Sequence, residues 1–500
     1  MLPDSIFSYP LVTTVIAGLF LIGIVGKLLK FSFRQIAVWY LYVAVLAVVV
    51  VMDSVFFPFI GGKDWFFRFT IELALIAFIL HWAFEAKKGE IAQLIRTSYR
   101  KPIVIAVTIF VVAFLLACAF AVDAHAAFWS NYERGEGGFQ MIHYYLFFML
   151  LVMLLKEEGQ WKNIFRFSLA AALLMIGYGI LGNLMVNTFI GPYASGNPPT
   201  GLWHLLFDGR FGGSLGNPAY VDAYLLFSGF YAVYLWISAK TEKRSNKLTP
   251  WLYTALLVVF LIFFILGQTR GAFLGLGAGV IALLLYFAFT GSAKVRRWAA
   301  AVAILLVVLG IGAYAERNSA FVQNLPEGRL LQISLQDGTA QTRLWVWGEA
   351  WKGFLDRPVL GWGPENFTAV YDKYFNPKFY VPGANTETWF DRAHSIYFDY
   401  LSETGILGFL AYFSIFFVIF WEFFRRRQLH RRGENGNAIT ILRGAFLALP
   451  IAYLIQGVAI FDVFPMYLNT FLFFAFATYY FTVHTKAAPA IASPSTHNHV

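Results

Sequence analysis

Three ionisable residues stand where an apolar helix is predicted to begin, in the stretch FDRAHSIYFDYLSETGILG at residues 390–408. Asp391, Arg392 and His394 are unusual there, because only 13% of the chain is charged and 59% is hydrophobic. An imidazole titrates near neutral pH, so His394 can accept a proton from a hydroxyl nucleophile, and Asp391 or another carboxylate is available to orient it. An ordinary interfacial histidine at a helix start fits equally. His394 is therefore a candidate general base.

A second candidate is Arg270, in GQTRGAFLGLGAG at residues 267–279, where a short turn is predicted between two apolar helices. If the second helix begins near Arg270, its free backbone amides and its dipole add positive potential beside the guanidinium, and both favour a bound anion. An arginine that anchors a helix end among lipid headgroups would give the same pattern.

A third candidate, Arg343, precedes Trp347 by four residues in TRLWVWGEAWKGFL, so the two lie on one face of a predicted helix. A guanidinium grips phosphate oxygens in a planar fork and an indole stacks on a sugar ring, so the pair suits a phosphate that carries a sugar. The tryptophans of this helix also fit a packing role. Helical spacing predicts an apolar face made of Leu344, Trp347, Trp351 and Phe354.

Arg210 is a further outward cation, in GRFGGSLGNPAYVDAYLL. The glycines that follow it allow a close approach of the backbone to a ligand, which makes Arg210 and Asn217 candidate substrate-binding residues. The alternative is a tight loop before a helix, in which Asn217 is the N-cap and Pro218 occupies the first turn.

The elements that must position these residues are membrane helices. The chain has 500 residues with 54 Phe, 15 Trp and 26 Tyr, and its mean hydropathy is +0.62. A helix needs roughly 20 mainly apolar residues to cross a bilayer. Segments of that kind are predicted at 9–28, 35–57, 66–85, 102–122, 139–155, 164–187, 218–239, 250–267, 271–290, 298–315, 398–424, 438–461 and 463–483. The predicted fold class is all-α, a polytopic integral-membrane helical bundle of about 12–13 transmembrane helices.

Charge predicts the orientation of this bundle. The net charge is +10, and most Lys and Arg fall in alternate loops, which the positive-inside rule assigns to the cytoplasm. The N-terminus is then outside and the C-terminus inside, and the basic residues face lipid headgroups rather than nucleic acid. The long loop at residues 316–397, predicted to be partly helical, faces outward, as do all the candidate residues.

Several familiar site patterns are absent from the sequence. No two aspartates lie two apart to hold a divalent metal on a nucleotide sugar, no outward His/Cys cluster resembles a zinc site, and there is no P-loop. These absences favour a reaction without metal or cofactor, on an anionic substrate delivered from the membrane.

The ordered motifs RFGGSLGNPAY, GQTRGAFLG, TRLWVWGEAWKGFLDRPVLGWGPENF and RAHSIYFDYLSETGILG resemble the O-antigen ligase and polymerase superfamily over roughly residues 200–425. The resemblance implies that Arg270, Arg343 and His394 are the functional groups. It also implies a bacterial cytoplasmic-membrane enzyme that transfers a glycan, with inversion, from an undecaprenyl-diphosphate carrier to an outward acceptor hydroxyl on a lipid or a protein. Arg392 would support the diphosphate or pair with Asp391, and Trp347 would contact the substrate.

Four regions follow from these assignments. They are N-terminal transmembrane helices at 1–200, a ligase-like core at 201–425 that includes the loop 316–397, C-terminal transmembrane helices at 426–484, and a disordered cytoplasmic tail at 485–500. Three functions stay open: a ligase, a polymerase that extends carrier-linked repeat units, and a bicarbonate-type anion transporter. A transporter needs ionisable groups in the membrane, and the main candidates, Glu72 and Asp53, have no partner at an obvious spacing.

Overall fold

The structure is a computed structural model that describes residues 10–52, 57–131, 134–184, 210–242, 246–317, 319, 338–380, 388–425 and 436–486. All regular secondary structure in these residues is helical, which confirms the all-α class. The α-helices are α1 Pro10–Leu28, α2 Phe33–Ala44, α3 Gly61–Phe84, α4 Glu90–Ser98, α5 Pro102–Ala119, α6 Ala124–Trp129, α7 Gly138–Leu154, α8 Glu158–Leu184, α9 Pro218–Thr241, α10 Thr249–Gly267, α11 Arg270–Thr290, α12 Ala293–Ala315, α13 Gly338–Asp356, α14 Phe367–Tyr374, α15 Ile396–Arg425, α16 Gly436–Gln456 and α17 Phe464–Lys486.

Within the described ranges, nine helices are long and apolar enough to cross a membrane: α3, α5, α8, α9, α10, α11, α12, α15 and α17. The apolar stretches Val12–Leu28, Phe33–Val49, Gly138–Leu154 and Thr440–Gln456 are shorter. Each predicted segment coincides with one of these helices. The protein is therefore a multi-pass membrane protein. Three predicted features lie outside the described residues: Asp53, most of segment 188–217, and the tail after Lys486.

Close packing of α11 on α16 fixes the first turn of α11. A Cβ added at Gly275 would lie 2.5 Å from the Ala452 carbonyl oxygen, and one at Gly279 would lie 3.0 Å from the Ala452 Cβ. Only glycine allows two helix backbones to approach this closely. One end of the bundle, where α11 begins and α16 ends, also receives the segment 388–395; we call it the loop end.

Helix α13 confirms the helical part of the long loop, but its buried face differs from the predicted one. Val346 and Ala350 are buried in a small second core with Phe367 and Phe390. Leu344 is 42% exposed and Trp351 is 47% exposed, so the predicted apolar face was wrong. Apolar residues surround this helix on more than one side, and spacing alone does not choose between them.

Helix α15 contains a sharp turn at Gly405, whose φ is 61° and ψ is −167°. The rings of Tyr400 and Tyr412 stack with centroids 4.1 Å apart, and those of Tyr397 and Phe413 are 4.9 Å apart. In a straight helix such residues would be separated by roughly 18 and 24 Å along the axis. Residues 396–404 therefore fold back against the segment that follows.

We expect Gly405→Ala to destabilise the protein, because its backbone conformation is almost restricted to glycine, at a cost of about 1–3 kcal/mol. The new Cβ would also lie 2.4 Å from the Val359 carbonyl carbon and oxygen. Thermal unfolding of the purified protein in detergent measures the effect as a lower Tm. Gly177→Ala is the matched control, because it lies in α8 and a Cβ there would meet nothing within 4 Å. Equal Tm values for the two variants would contradict the expectation.

Candidate functional site

His394 lies just before α15 with a left-handed backbone, φ 58°. Such a conformation is costly for a residue other than glycine or asparagine, and it persists only where the surroundings enforce it. Here they do: Ala393 N–H donates to Asp399 Oδ1 at 2.6 Å, and Trp347 Nε1–H donates to the Ala393 carbonyl at 3.0 Å. The amide of Ile396 donates to the carbonyls of Gly457 at 2.9 Å and Ile460 at 3.0 Å.

The imidazole of His394 is held as a neutral base. Its Nδ1 lies 3.1 Å from the Arg392 carbonyl oxygen, which can only accept, so Nδ1 carries the proton and the lone pair is on Nε2. Burial lowers the pKa of His394 to about 4, and the positive charges of Arg343 and Arg134 act in the same direction. At neutral pH the ring is therefore uncharged, as a general base must be.

Two of the predicted residues, Arg343 and Trp347, lie near the loop that carries His394. Arg343 on α13 is close enough to His394 to act on its pKa. Trp347 stacks on Phe398 with centroids 5.2 Å apart, in addition to its bond to the Ala393 carbonyl. The packing role predicted as an alternative for the tryptophans therefore applies to Trp347, which supports the backbone of the His394 loop.

The structure gives Arg392 partners that the sequence did not indicate. Its side chain is 8% exposed, and Nη1 donates to Glu403 Oε1 at 2.8 Å and Oε2 at 2.9 Å. Nη2 donates to Glu365 Oε1. Both expected roles, contact with a diphosphate and pairing with Asp391, are replaced by a buried ion cluster. Partners 27 and 11 residues away come together only through the fold.

Asp391 is bound by an arginine that sequence reasoning missed. Arg134, in the turn before α7, donates from Nε to Asp391 Oδ2 at 2.5 Å and from Nη2 to Asp391 Oδ1 at 3.0 Å. Burial raises the pKa of Asp391, but the bonds and charge of Arg134 more than offset it and the net pKa is lowered. Asp391 does not orient the His394 ring, since Nδ1 bonds the Arg392 carbonyl. A charged, glycine-rich turn, ERGEGG, was the available signal.

Arg270 and Arg210 belong to the start of α11. Thr269 is the N-cap of α11 and Arg270 its first residue, as predicted, and the Thr269 amide donates to buried Asp222 Oδ2 at 3.2 Å. Arg210 Nε donates to the Gly267 carbonyl at 3.2 Å, and its Nη2 lies 3.3 Å from Thr269 Oγ1. Arg210 therefore bonds the turn before α11, and Arg270 stands in the first turn of a helix, where the dipole favours an anion.

The segment 457–461 separates this helix start from His394. A Cβ added at Gly271 would lie 3.2 Å from the Ala459 Cβ, so the first turn of α11 rests on one side of the segment. On the other side, the ring of Phe461 contacts the ring of His394 edge-on, with centroids 5.0 Å apart. The first turn of α11 and the ring of His394 therefore both contact the segment 457–461 at the loop end.

Two further predicted residues have simpler positions. Asn217 accepts a hydrogen bond from the Ala219 amide at 2.9 Å with Pro218 at the helix start, so the capping alternative accounts for it. Glu72, which has no partner at an obvious spacing in the sequence, has one on another helix, α7, where His143 Nε2 lies 3.2 Å from Glu72 Oε1. Among the described residues, no group of three His, Cys, Asp or Glu side chains could hold a metal ion.

Comparison with known families agrees with the resemblance seen in the sequence. Residues 255–413 match the family model Wzy_C, described as O-Antigen ligase. The match runs from α10 into α15 and contains Arg270, Arg343 and His394, whereas Arg134 and Arg210 lie outside it. No curated protein matches the chain.

Removing the Arg392 side chain should leave two buried carboxylates without a counterion, and losing one partner of a buried pair typically costs about 3–5 kcal/mol. We therefore expect Arg392→Ala to lower the Tm in detergent strongly. Arg392→Lys keeps the charge but not the planar fork, and should recover only part of that loss. Arg357→Ala, which removes a half-buried arginine bonded to the Phe120 carbonyl, is the control. A wild-type Tm for Arg392→Ala would contradict the structural role.

Proposed function

We propose that this membrane protein, in which residues 255–413 match the O-Antigen ligase family model, transfers a glycan from an undecaprenyl-diphosphate carrier to an acceptor hydroxyl. The family implies lipid-linked glycan substrates. The observation that carries the proposal is His394 itself: a neutral imidazole with its lone pair on Nε2, rigidly held, beside the guanidinium of Arg343.

The reaction needs one proton transfer and one displacement. His394 Nε2 takes the proton of the acceptor hydroxyl while the oxygen of that hydroxyl forms a bond to the anomeric carbon. The bond from that carbon to the diphosphate oxygen breaks, its electron pair leaves on the diphosphate, and the configuration inverts. Solvent then removes the proton from the imidazolium. A positioned base of this kind typically contributes roughly 10²- to 10⁴-fold.

Arg270 and Arg343 would stabilise the charge that grows on the departing diphosphate. Cations fixed before the reaction are most effective in a water-poor site, and each typically contributes about 10²- to 10³-fold. Arg210 bonds the turn before α11 and so supports the position of Arg270. Because the diphosphate is already a good leaving group, this mechanism requires no metal.

An apolar groove offers a place for the carrier's isoprenoid chain. It has a volume of about 340 Å³ and is lined by four helices, with Leu226 on α9, Phe260 on α10, Leu276 on α11 and Ala448 on α16 among its residues. Leu276 and Leu283 on α11 line it roughly 9 and 20 Å along the axis from Arg270. A diphosphate at Arg270 would therefore direct its lipid chain along α11 into this groove.

The proposed function is tested with purified protein in liposomes. An undecaprenyl-diphosphate oligosaccharide is offered with candidate lipid and protein acceptors, and release of undecaprenyl diphosphate is followed with and without a chelator. One defined adduct, unaffected by the chelator, supports a ligase. A ladder of longer carrier-linked glycans means a polymerase. Activity that needs magnesium or manganese contradicts metal independence. Transport is favoured if undecaprenyl diphosphate is released from no donor and the Arg270→Ala variant behaves like wild type in cells.

We expect His394→Ala to lose at least roughly 10²-fold in transfer rate, because the acceptor hydroxyl then lacks its base. His394→Gln should lose as much, since an amide does not accept the proton. Tm in detergent and the amount of protein in the membrane should stay close to wild type for the glutamine variant. Normal transfer by either variant would remove the general-base assignment.

The pH dependence of kcat/KM should report the ionisation of His394 in the free enzyme. Since the pKa is lowered to about 4 and the neutral form is active, activity should persist through mildly acidic pH and fall only near pH 4. Arg343 lowers this pKa, so Arg343→Gln should move the acid limb to higher pH. A wild-type acid limb at the ordinary histidine value of 6.5 would contradict this environment.

A further inference from the structure

Arg134 makes a bidentate ion pair at the site, although it comes from the N-terminal half of the chain. Its two bonds to Asp391 engage both carboxylate oxygens, at 2.5 and 3.0 Å. The side chains are 13% and 8% exposed. A bidentate guanidinium–carboxylate pair fixes the angle as well as the distance between its members, so it constrains the backbone on which Asp391 sits.

Arg134 also joins Asp391 to two other parts of the bundle. Its Nη1 lies 3.3 Å from the Tyr220 hydroxyl in the first turn of α9, and its guanidinium carbon is 5.0 Å from the centre of the Phe461 ring. That ring contacts the His394 ring edge-on. Arg134 therefore reaches His394 by two routes: through Asp391, three residues earlier in the same loop, and through Phe461.

We propose that Arg134 is a positioning residue for His394, which it holds in place through its ion pair with Asp391 and its contact with Phe461. The inference rests on the proposed function of His394 as the base. It adds to the site a residue outside the segment 255–413 that matches the family model.

The groups that act on the pKa of His394 allow an experiment to distinguish this proposal from a general structural role. The charged groups are Arg343 on α13, Arg134 before α7 and Asp391 in the loop of His394, and the Arg392 carbonyl of that loop accepts a hydrogen bond from the ring. Arg343 and Arg134 lower the pKa of His394 and Asp391 raises it. Losing Arg134 alone leaves the Asp391 carboxylate to stabilise the imidazolium, so the acid limb of the pH profile should move to higher pH. Losing both Arg134 and the Asp391 carboxylate should return the acid limb largely to its wild-type pH.

The experiment compares Arg134→Gln, Arg134→Lys, Asp391→Asn and the double variant Arg134→Gln/Asp391→Asn in the liposome assay, with kcat and KM measured separately across pH. A base displaced by about 1 Å loses roughly 10²-fold. We expect kcat of Arg134→Gln to fall by about 10- to 100-fold with little change in donor KM, and its acid limb to shift upward. Arg134→Lys should restore the acid limb but recover kcat only partly, because it lacks the fork.

The double variant should be no slower than Arg134→Gln, because both remove the same pair. Arg357→Gln changes a half-buried arginine bonded to the Phe120 carbonyl, and this control variant should behave like wild type. Three results for Arg134→Gln would overturn the inference: a wild-type kcat, a change in KM alone, or an acid limb at the wild-type position. If Arg134→Gln does not fold, Arg134→Lys decides: full kcat overturns the inference, and a reduced kcat with an unshifted limb supports it. Normal transfer by His394→Ala would instead defeat the proposed function, whatever the Arg134 variants do.

Discussion

The buried guanidinium of Arg392 is the constraint on which the loop end depends. It bonds Glu365 and Glu403, and so connects the segment after α13 to the short helical segment that ends at Gly405. A buried charge is tolerated only when its partners are in place, so these segments assemble together or not at all. His394 follows two residues later and has a left-handed backbone.

The position of His394 combines two opposing requirements. In the proposed reaction, cations near the ring stabilise a diphosphate leaving group, yet the same cations, together with burial, keep the imidazole a weak base. A diphosphate bound at Arg343 would bring negative charge and so relieve part of that effect. The base would then be strongest when the donor is present, which discourages proton transfer in its absence.

The sequence predicted the membrane helices well because an apolar run long enough to cross a bilayer has few alternative structures. His394, Arg270 and Arg343 could be named as candidates because each stands in a local motif. The partners of Arg392 and Asp391 could not, since Glu403, Glu365 and Arg134 approach them only in the folded bundle. The buried face of α13 was missed for a related reason. Trp347 supports a carbonyl 46 residues away, and helical spacing contains no information about such a contact.

The distribution of the site along the chain has a consequence for synthesis on the ribosome. A nascent chain inserted as far as α15 already contains Arg134, Arg270, Arg343 and His394. It still lacks the carbonyls of Gly457 and Ile460, which accept from Ile396, and the Phe461 ring that packs on His394. These arrive only with the connection between α16 and α17, which is translated after all four of those residues. The surroundings of His394 therefore remain incomplete until that connection has been synthesised.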